Sequence, residues 1–205
     1  SGPLARSPED IEIALDILAS PQEQDSIAWS FKLPKARSNK IEDLKIAVWP
    51  EEEYAEVDSE TSSLISATVE DLKSAGAKVE NATPPFSFRD SDDVYSKLLN
   101  PLMIAGAPQK TLNQIDEIAK TIKDDDMSSM AKTARGASLL ARDWIVVNAK
   151  RQFMRQQWRT FFENYDVILC PVCVLPAMKH DHRPFHERSL MINGKEREYW
   201  DSTLW

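Results

Sequence analysis

Glycine is scarce in this sequence: five residues among 205, about a third of the ~7% share usual in soluble proteins. Sites that hold an oxyanion on backbone N–H groups usually rest on Gly-rich turns, and no such turn is present. Either the chain is not a catalyst, or the Gly-rich part of its site lies outside these residues. Cysteine is equally rare, with two residues. Without a disulfide framework, they fit a reducing compartment, and a cytoplasmic protein is expected. Basic charge is outweighed: 25 Lys and Arg stand against 33 Asp and Glu, for a net charge of -8. No basic stripe appears, which argues against a nucleic-acid partner. No apolar run reaches the roughly 20 residues of a membrane helix, so no membrane span is expected.

What remains is an ordinary globular composition, with 42% hydrophobic and 28% charged residues. The pattern along the chain predicts an α/β fold. Ser7-Pro8-Glu9-Asp10 opens a helix with a capping hydroxyl, a proline at the first position and two acids facing the dipole. Ile11, Ala14, Leu15 and Leu18 continue it at helical spacing. Residues 20–40 are polar and read as a surface connection. Residues 44–49 (LKIAVW) read as a buried strand. A helix follows over 58–75, with Leu64, Thr68 and Leu72 on one face and Gly76 as its stop. Lys78-Val79-Glu80 is a second short strand. Strand, helix and strand form a βαβ unit at 44–81, which implies a parallel pairing.

Residues 90–123 read as two helical pieces broken near Gly106-Ala107-Pro108. Residues 128–163 lack proline and read as one long helix or two, with Leu140, Trp144, Val147, Met154, Trp158 and Phe161 at helical steps. Residues 166–170 (DVILC) are a third buried strand, and a loop rich in His, Arg and Asn-Gly follows.

Several motifs have bland readings that outweigh the chemical ones. Cys170-Pro171-Val172-Cys173 is a CxxC without the helix start that lowers a redox thiol's pKa, and without the second pair of a zinc site. Two thiols in a strand and its exit loop are expected. His180, His182 and His186 lie close together without a supporting carboxylate shell, and read as solvated loop residues; no metal is expected. Ser62-Ser63 and Ser128-Ser129 sit in polar helix-start contexts without flanking glycine, so capping is the expected role of each pair.

Three segments and a strand, in register along the chain, resemble the amidase-signature family. Ser1-Gly2-Pro3-Leu4-Ala5-Arg6-Ser7-Pro8-Glu9-Asp10 is similar to a stretch that opens a helix soon after the family's nucleophile segment. Residues 44–49 resemble a family strand. Asn164-Tyr165-Asp166-Val167-Ile168-Leu169-Cys170-Pro171-Val172 resembles the family's "YDvllcPt" strand and loop. Asn193-Gly194, with Tyr199-Trp200-Asp201-Ser202-Thr203-Leu204-Trp205, resembles the "NG…Y-x-D…W" stretch of bacterial and fungal amidases.

The resemblance implies a mixed or parallel β-sheet covered by helices, with residues 1–205 as part of one amidase domain. Within it, 44–81 is the βαβ unit, 90–163 is mainly helical, and 164–205 is a strand plus pocket-lining loop. It implies hydrolysis of carboxylic amides, not peptide bonds, by a serine nucleophile aided by a second serine with a cis peptide and a lysine. A lysine base must be neutral, hence buried. In the family these residues precede the segment matching Ser1. No lysine or serine here matches their motifs, so no catalytic residue is carried over and this chain alone is expected to be inactive.

Carried over instead are candidate substrate-lining positions: Cys170, Val172, Asp201, Thr203, Leu204 and Trp205. Asp201, an acid among aromatics, either lines the pocket or caps a helix beginning at Ser202. The aliphatic runs Leu139-Leu140-Ala141 and Trp144-Ile145-Val146-Val147 lean toward an apolar acyl or aryl amide. No cofactor is expected. The expected partners are a small-molecule amide, the remaining part of the amidase domain and, as an admissible assembly, a second copy in a homodimer. The rival reading is a non-catalytic binding or assembly module derived from the same fold; the scaffold half of a two-chain enzyme is a third.

Overall fold

The computed structural model describes residues 2–205, apart from the side chain of His186; Ser1 of the first motif and the His186 side chain lie outside the described residues. The chain divides into two compact units, Ser1–Asn39 and Lys40–Trp205. In the first, helix α1 (Pro8–Leu18) begins as its sequence predicts. The Ser7 hydroxyl accepts the Asp10 N–H at 3.2 Å, Pro8 opens the helix, and Glu9 and Asp10 occupy the first turn. This helix buries none of its residues.

The second unit is built on a three-stranded parallel sheet in the order β2-β1-β3, with β1 at Lys45–Val48, β2 at Lys78–Asn81 and β3 at Val167–Leu169. Ile46 faces Val79 on one side and, in the β3 register, Val167 on the other. The central strand explains its own composition. With a neighbour on each side, β1 needs apolar residues throughout, and Ile46, Ala47 and Val48 are all at most 3% exposed. The first residue of β1 and the residue just before β3 are stitched reciprocally. The Lys45 N–H donates to Asp166 Oδ2 at 2.8 Å, and the Asp166 N–H donates to the Lys45 carbonyl at 2.8 Å.

Helix α2 (Ser59–Ser74) links β1 to β2 and seats Ile65 on the sheet beside Ile46, Val48 and Ala77, with Val69, Leu72 and Leu169 packed around them. The expected α2 face was Leu64, Thr68 and Leu72, and this is corrected by one residue. Leu64 is 68% exposed, and Ile65, Val69 and Leu72 point inward. Leu72 belongs to both helical rows, so spacing alone left the ambiguity. Ser62 and Ser63 do not cap this helix. Asp58 does, accepting from the Glu60 N–H at 2.9 Å, and the serines fall one turn inside. Gly76 ends the turn after α2 at φ 94°, a conformation costly for any residue with a Cβ.

Strand β3 is also corrected. It was expected to be buried, but it lies at the sheet edge of this unit, and Val167 is 42% exposed.

Four helices follow β2: α3 (Phe88–Ile104), α4 (Gln109–Thr121), α5 (Ser129–Ala137) and α6 (Ala141–Phe161). The break at residues 105–108 falls at Gly106-Ala107-Pro108. The ambiguous span 128–163 resolves into two helices, parted at residues 138–140. Ser128 does cap α5, accepting from the Ala131 N–H at 3.3 Å. Helices α3 and α5 pack directly on each other. A Cβ on Gly136 would meet Asn100 Cβ at 2.8 Å and the Ser96 carbonyl at 2.9 Å.

The stretch after β3, expected to be a loop, contains an antiparallel hairpin of β4 (Ser189–Ile192) and β5 (Lys195–Glu198). Its two-residue turn is Asn193-Gly194, with φ of 50° and 77°. Asn-Gly tolerates two successive positive φ angles and matches the twist of a hairpin. Leu190 and Ile192 alternate inward, at 3% and 0% exposed, against Val57 and Val174. No helix is long and apolar enough to cross a membrane among the described residues.

Candidate functional site

In an open parallel sheet, ligands bind beyond the carboxyl ends of the strands, where the chain leaves the ladder. Here that edge is formed by the segments following β1 and β3. Trp49 is the first residue beyond β1, and its N–H donates to the Leu169 carbonyl at 2.9 Å. The chain then forms a loop over residues 50–57. The segment after β3 carries Cys170 to Leu175. The last residues of the chain, a single 3-10 turn at Tyr199–Thr203 followed by Leu204 and Trp205, return to the same place.

These three segments and β4 share one apolar cluster: Val57, Val174, Leu190 and Ile192, with Leu175, Tyr199, Leu204 and Trp205 packed on it. Polar contacts fix their register. The Asp58 N–H donates to the Val174 carbonyl at 2.7 Å, the Cys173 thiol to the Ser202 carbonyl at 3.0 Å, and the Trp205 indole N–H to the Ala55 carbonyl at 2.8 Å. The Asn193 amide donates to the Glu56 carboxylate and the Val57 carbonyl, both at 3.0 Å. This bond and the one from Lys195 hold the Glu56 carboxyl below its usual pKa range.

An aromatic wall stands beside that cluster. Trp49 meets Phe88 edge-on at 5.5 Å and Trp205 at 5.4 Å, Phe88 meets Trp205 at 4.9 Å, and Tyr54 lies 6.3 Å from Phe88. Such pairs add about 0.5–1.5 kcal/mol each beyond their buried area. Behind the wall, the Tyr54 hydroxyl donates to Asp92 Oδ2 at 2.6 Å. Burial first, and then that bond, push this phenol far above its usual pKa, so it remains a donor at every working pH.

The six sequence-derived positions are placed differently from one another. Leu204 and Trp205 join the cluster. Asp201 lies at the same edge, with its side chain 15% exposed, and pairs with Arg197, whose Nε donates at 2.7 Å. It lies inside the 3-10 turn, so of its two expected roles the helix cap at Ser202 is corrected: Asp201 is spent on Arg197, which also donates to the Tyr54 carbonyl at 3.3 Å. Cys170 is half-buried, and burial raises its thiol pKa. Val172 is 89% exposed, and Thr203 is exposed with its hydroxyl donating to the Trp200 carbonyl at 2.9 Å. Neither of these two joins the cluster.

Cys170 and Cys173 are free thiols. The rings of His180 and His182 lie 6.2 Å apart, and no group of three or more His, Cys, Asp or Glu that could hold a metal occurs among the described residues. Of the aliphatic runs, Ile145 and Val146 are exposed and Val147 is buried, while Trp144 lines an apolar groove of about 440 Å³ between α3 and α6. Trp49, Tyr54, Phe88 and Arg197 were missed by the sequence reading. The signal that could have found them was position: Trp49 directly follows the most apolar strand.

The parallel sheet thus carries an apolar and aromatic cluster at its carboxyl edge, with Trp49 only 7% exposed within it. Comparisons with known proteins give the class. The chain belongs to the amidase family, whose family model, described as Amidase, matches residues 1–196. Relatives include an indoleacetamide hydrolase of Bradyrhizobium japonicum, 24% identical over 177 residues, covering 86% of this chain and 36% of that protein. Another is a glutamyl-tRNA(Gln) amidotransferase subunit of Gloeothece citriformis, 26% identical over 202 residues, covering 87% of this chain and 41% of that protein.

Among solved structures, a fatty acid amide hydrolase superposes with a TM-score of 0.65 at 22% identity, over 100% of this chain and 34% of that one. A bacterial aryl acylamidase of the amidase-signature family gives 0.63 at 18% identity, over 99% of this chain and 43% of that one. These likenesses support the α/β fold. The chain spans about a third of the length of the curated relatives it matches.

Proposed function

We propose that this chain is the acyl-side segment of a serine-dependent amidohydrolase that cleaves carboxylic amides with an apolar, preferably aromatic, acyl group. The observation that carries the substrate class is the wall of Trp49, Phe88 and Trp205 at the carboxyl edge of the parallel sheet. Flat apolar faces favour a flat apolar group, because they remove its surface from water and align ring edges with ring faces. Trp205 belongs to this wall and Leu204 to the apolar cluster beside it, Asp201 pairs with the Arg197 that donates to the Tyr54 carbonyl, and Cys170 directly follows β3.

Hydrolysis requires a nucleophile, a base for its proton and donors for the oxyanion. In the proposal, the serine pair and lysine that the family resemblance implies come from residues outside these 205, as do the oxyanion donors. This chain contributes binding and orientation of the acyl group. The family resemblance, the indoleacetamide hydrolase likeness and the scarcity of glycine support this division.

The test uses a reactive fluorophosphonate and intact mass. The 205-residue chain is expected to take up no label and to hydrolyse no aryl amide. The same chain expressed with the coding sequence upstream of Ser1 is expected to be labelled at one serine and to hydrolyse aryl amides. Stoichiometric labelling of the short chain, or a longer product that neither labels nor hydrolyses, contradicts the proposal. The second outcome favours a non-catalytic binding module.

A further inference from the structure

We propose that Lys132 and Asp92 are positioning residues for the aromatic wall, acting through Tyr54. Calling that wall substrate-facing rests on the functional reading above; the positioning itself does not. Lys132 Nζ donates to Asp92 Oδ2 at 3.0 Å, with the two side chains only 12% and 10% exposed. The same carboxylate oxygen accepts the Tyr54 hydroxyl, and Oδ1 accepts the Ser96 hydroxyl at 3.4 Å. Asn100 adds a donor to the Lys132 carbonyl at 3.1 Å.

The spacing on α3 shows what this cluster controls. Phe88, Asp92, Ser96 and Asn100 recur every fourth residue and so lie along one ridge. Three of them face Lys132 and Gly136 of α5, themselves four apart. The fourth, Phe88, is the wall residue that touches both Trp49 and Trp205. The polar seam therefore fixes α3 along its axis, and with it the height at which Phe88 enters the wall.

Tyr54 carries the same constraint to the other side. Its ring lies by Phe88 and its hydroxyl on Asp92, while its carbonyl accepts from Arg197 and its neighbour Ala55 accepts the Trp205 indole. A buried ion pair adds little net stability over an apolar pair of the same volume, since desolvation offsets its attraction. What it does supply is direction, because its bonds are satisfied in one register of the helices.

The test reads the wall directly. Trp49 and Trp205, 5.4 Å apart with planes 76° to each other, should give an exciton couplet in far-ultraviolet circular dichroism, which Trp205→Phe must abolish. Lys132→Met and Asp92→Asn are expected to lose most of that couplet while helical ellipticity remains, and Lys132→Arg is expected to keep it. If either charge variant fails to fold, Tyr54→Phe decides, because it removes one hydroxyl and keeps the ring. Loss of the couplet supports the proposal.

A couplet unchanged in folded Lys132→Met, Asp92→Asn or Tyr54→Phe overturns it, since a purely stabilising role moves the melt and leaves the wall in place. In the longer, active protein the same variants should raise KM for aryl amides more than they lower kcat. If the couplet collapses as expected in a longer protein that hydrolyses no amide, the functional reading fails and the positioning role stands.

Discussion

Alanine at Gly136 measures how closely α5 lies on α3. The added Cβ would sit 2.8 Å from Asn100 Cβ and 2.9 Å from the Ser96 carbonyl oxygen. The second neighbour is backbone, so no rotamer change relieves it and a helix must move. Overpacking of this kind costs about 1–3 kcal/mol. Helix propensity acts in the other direction, favouring alanine over glycine by about 1 kcal/mol in a helix interior. The gain is smaller here because Gly136 is the penultimate residue of α5. The expected net is a loss of roughly 1–2 kcal/mol, and a domain of this size loses about 2–4 °C in Tm per kcal/mol. Gly106 is the control, since nothing lies within 4 Å of the position a methyl group would take there, and Gly106→Ala should be neutral or gain up to about 1 kcal/mol. Thermal and urea unfolding of both variants, followed by circular dichroism, make the comparison. Gly136→Ala melting at or above Gly106→Ala would refute the close approach of the two helices.

Three further outcomes follow from named contacts. Ile192→Ala empties a fully buried site between hairpin and body and should cost about 2–5 kcal/mol by urea unfolding; a cost below about 1 kcal/mol would mean that the hairpin is not seated as described. The Asp181 carboxyl, hydrogen-bonded by the Arg183 side chain and N–H, is held down at about 2. Because its folded pKa is depressed, its stabilisation is present above the ordinary carboxylate range and fades as pH falls toward 2. Carbon-detected titration should therefore show a midpoint near 2 that rises in Arg183→Gln, and an unchanged midpoint would remove Arg183 as the cause. Burial raises the Cys170 thiol pKa, so iodoacetamide at neutral pH should modify it more slowly than a free cysteine, while urea should abolish the difference; rapid labelling in the folded chain contradicts its half-buried placement.

The fold was legible wherever one short-range signal had no competitor. LKIAVW could be only a covered strand, Ser7-Pro8 only a helix start, and Gly106-Ala107-Pro108 only a break. The α2 face was misread because Leu64 and Ile65 are adjacent apolar residues and only the sheet decides between them. The hairpin was missed although Asn193-Gly194 signals one, because Lys195, Glu196, Arg197 and Glu198 give β5 no apolar alternation; β4 supplies the inward residues and β5 pairs to it through backbone. Of the candidate positions, Leu204 and Trp205 pack on the apolar cluster at the sheet edge, while Val172 and Thr203 do not. Trp49, Tyr54 and Phe88 join the aromatic wall through contacts that span up to 150 residues of chain, such as Trp205 to Ala55, and no local pattern encodes those.

The most direct test of the acyl-wall claim is the ranking of substrates by Trp205→Ala in the longer protein that includes the sequence upstream of Ser1. kcat/KM is measured for an aryl amide and for a short aliphatic amide. Loss of one wall of an apolar pocket should lower the aryl value by about 10-fold or more, the equivalent of about 1.4 kcal/mol or more of lost burial and ring contact, and leave the short amide nearly unchanged. If both values fall equally, or neither falls while Tm drops, Trp205 only packs the fold and this edge of the sheet does not meet the acyl group.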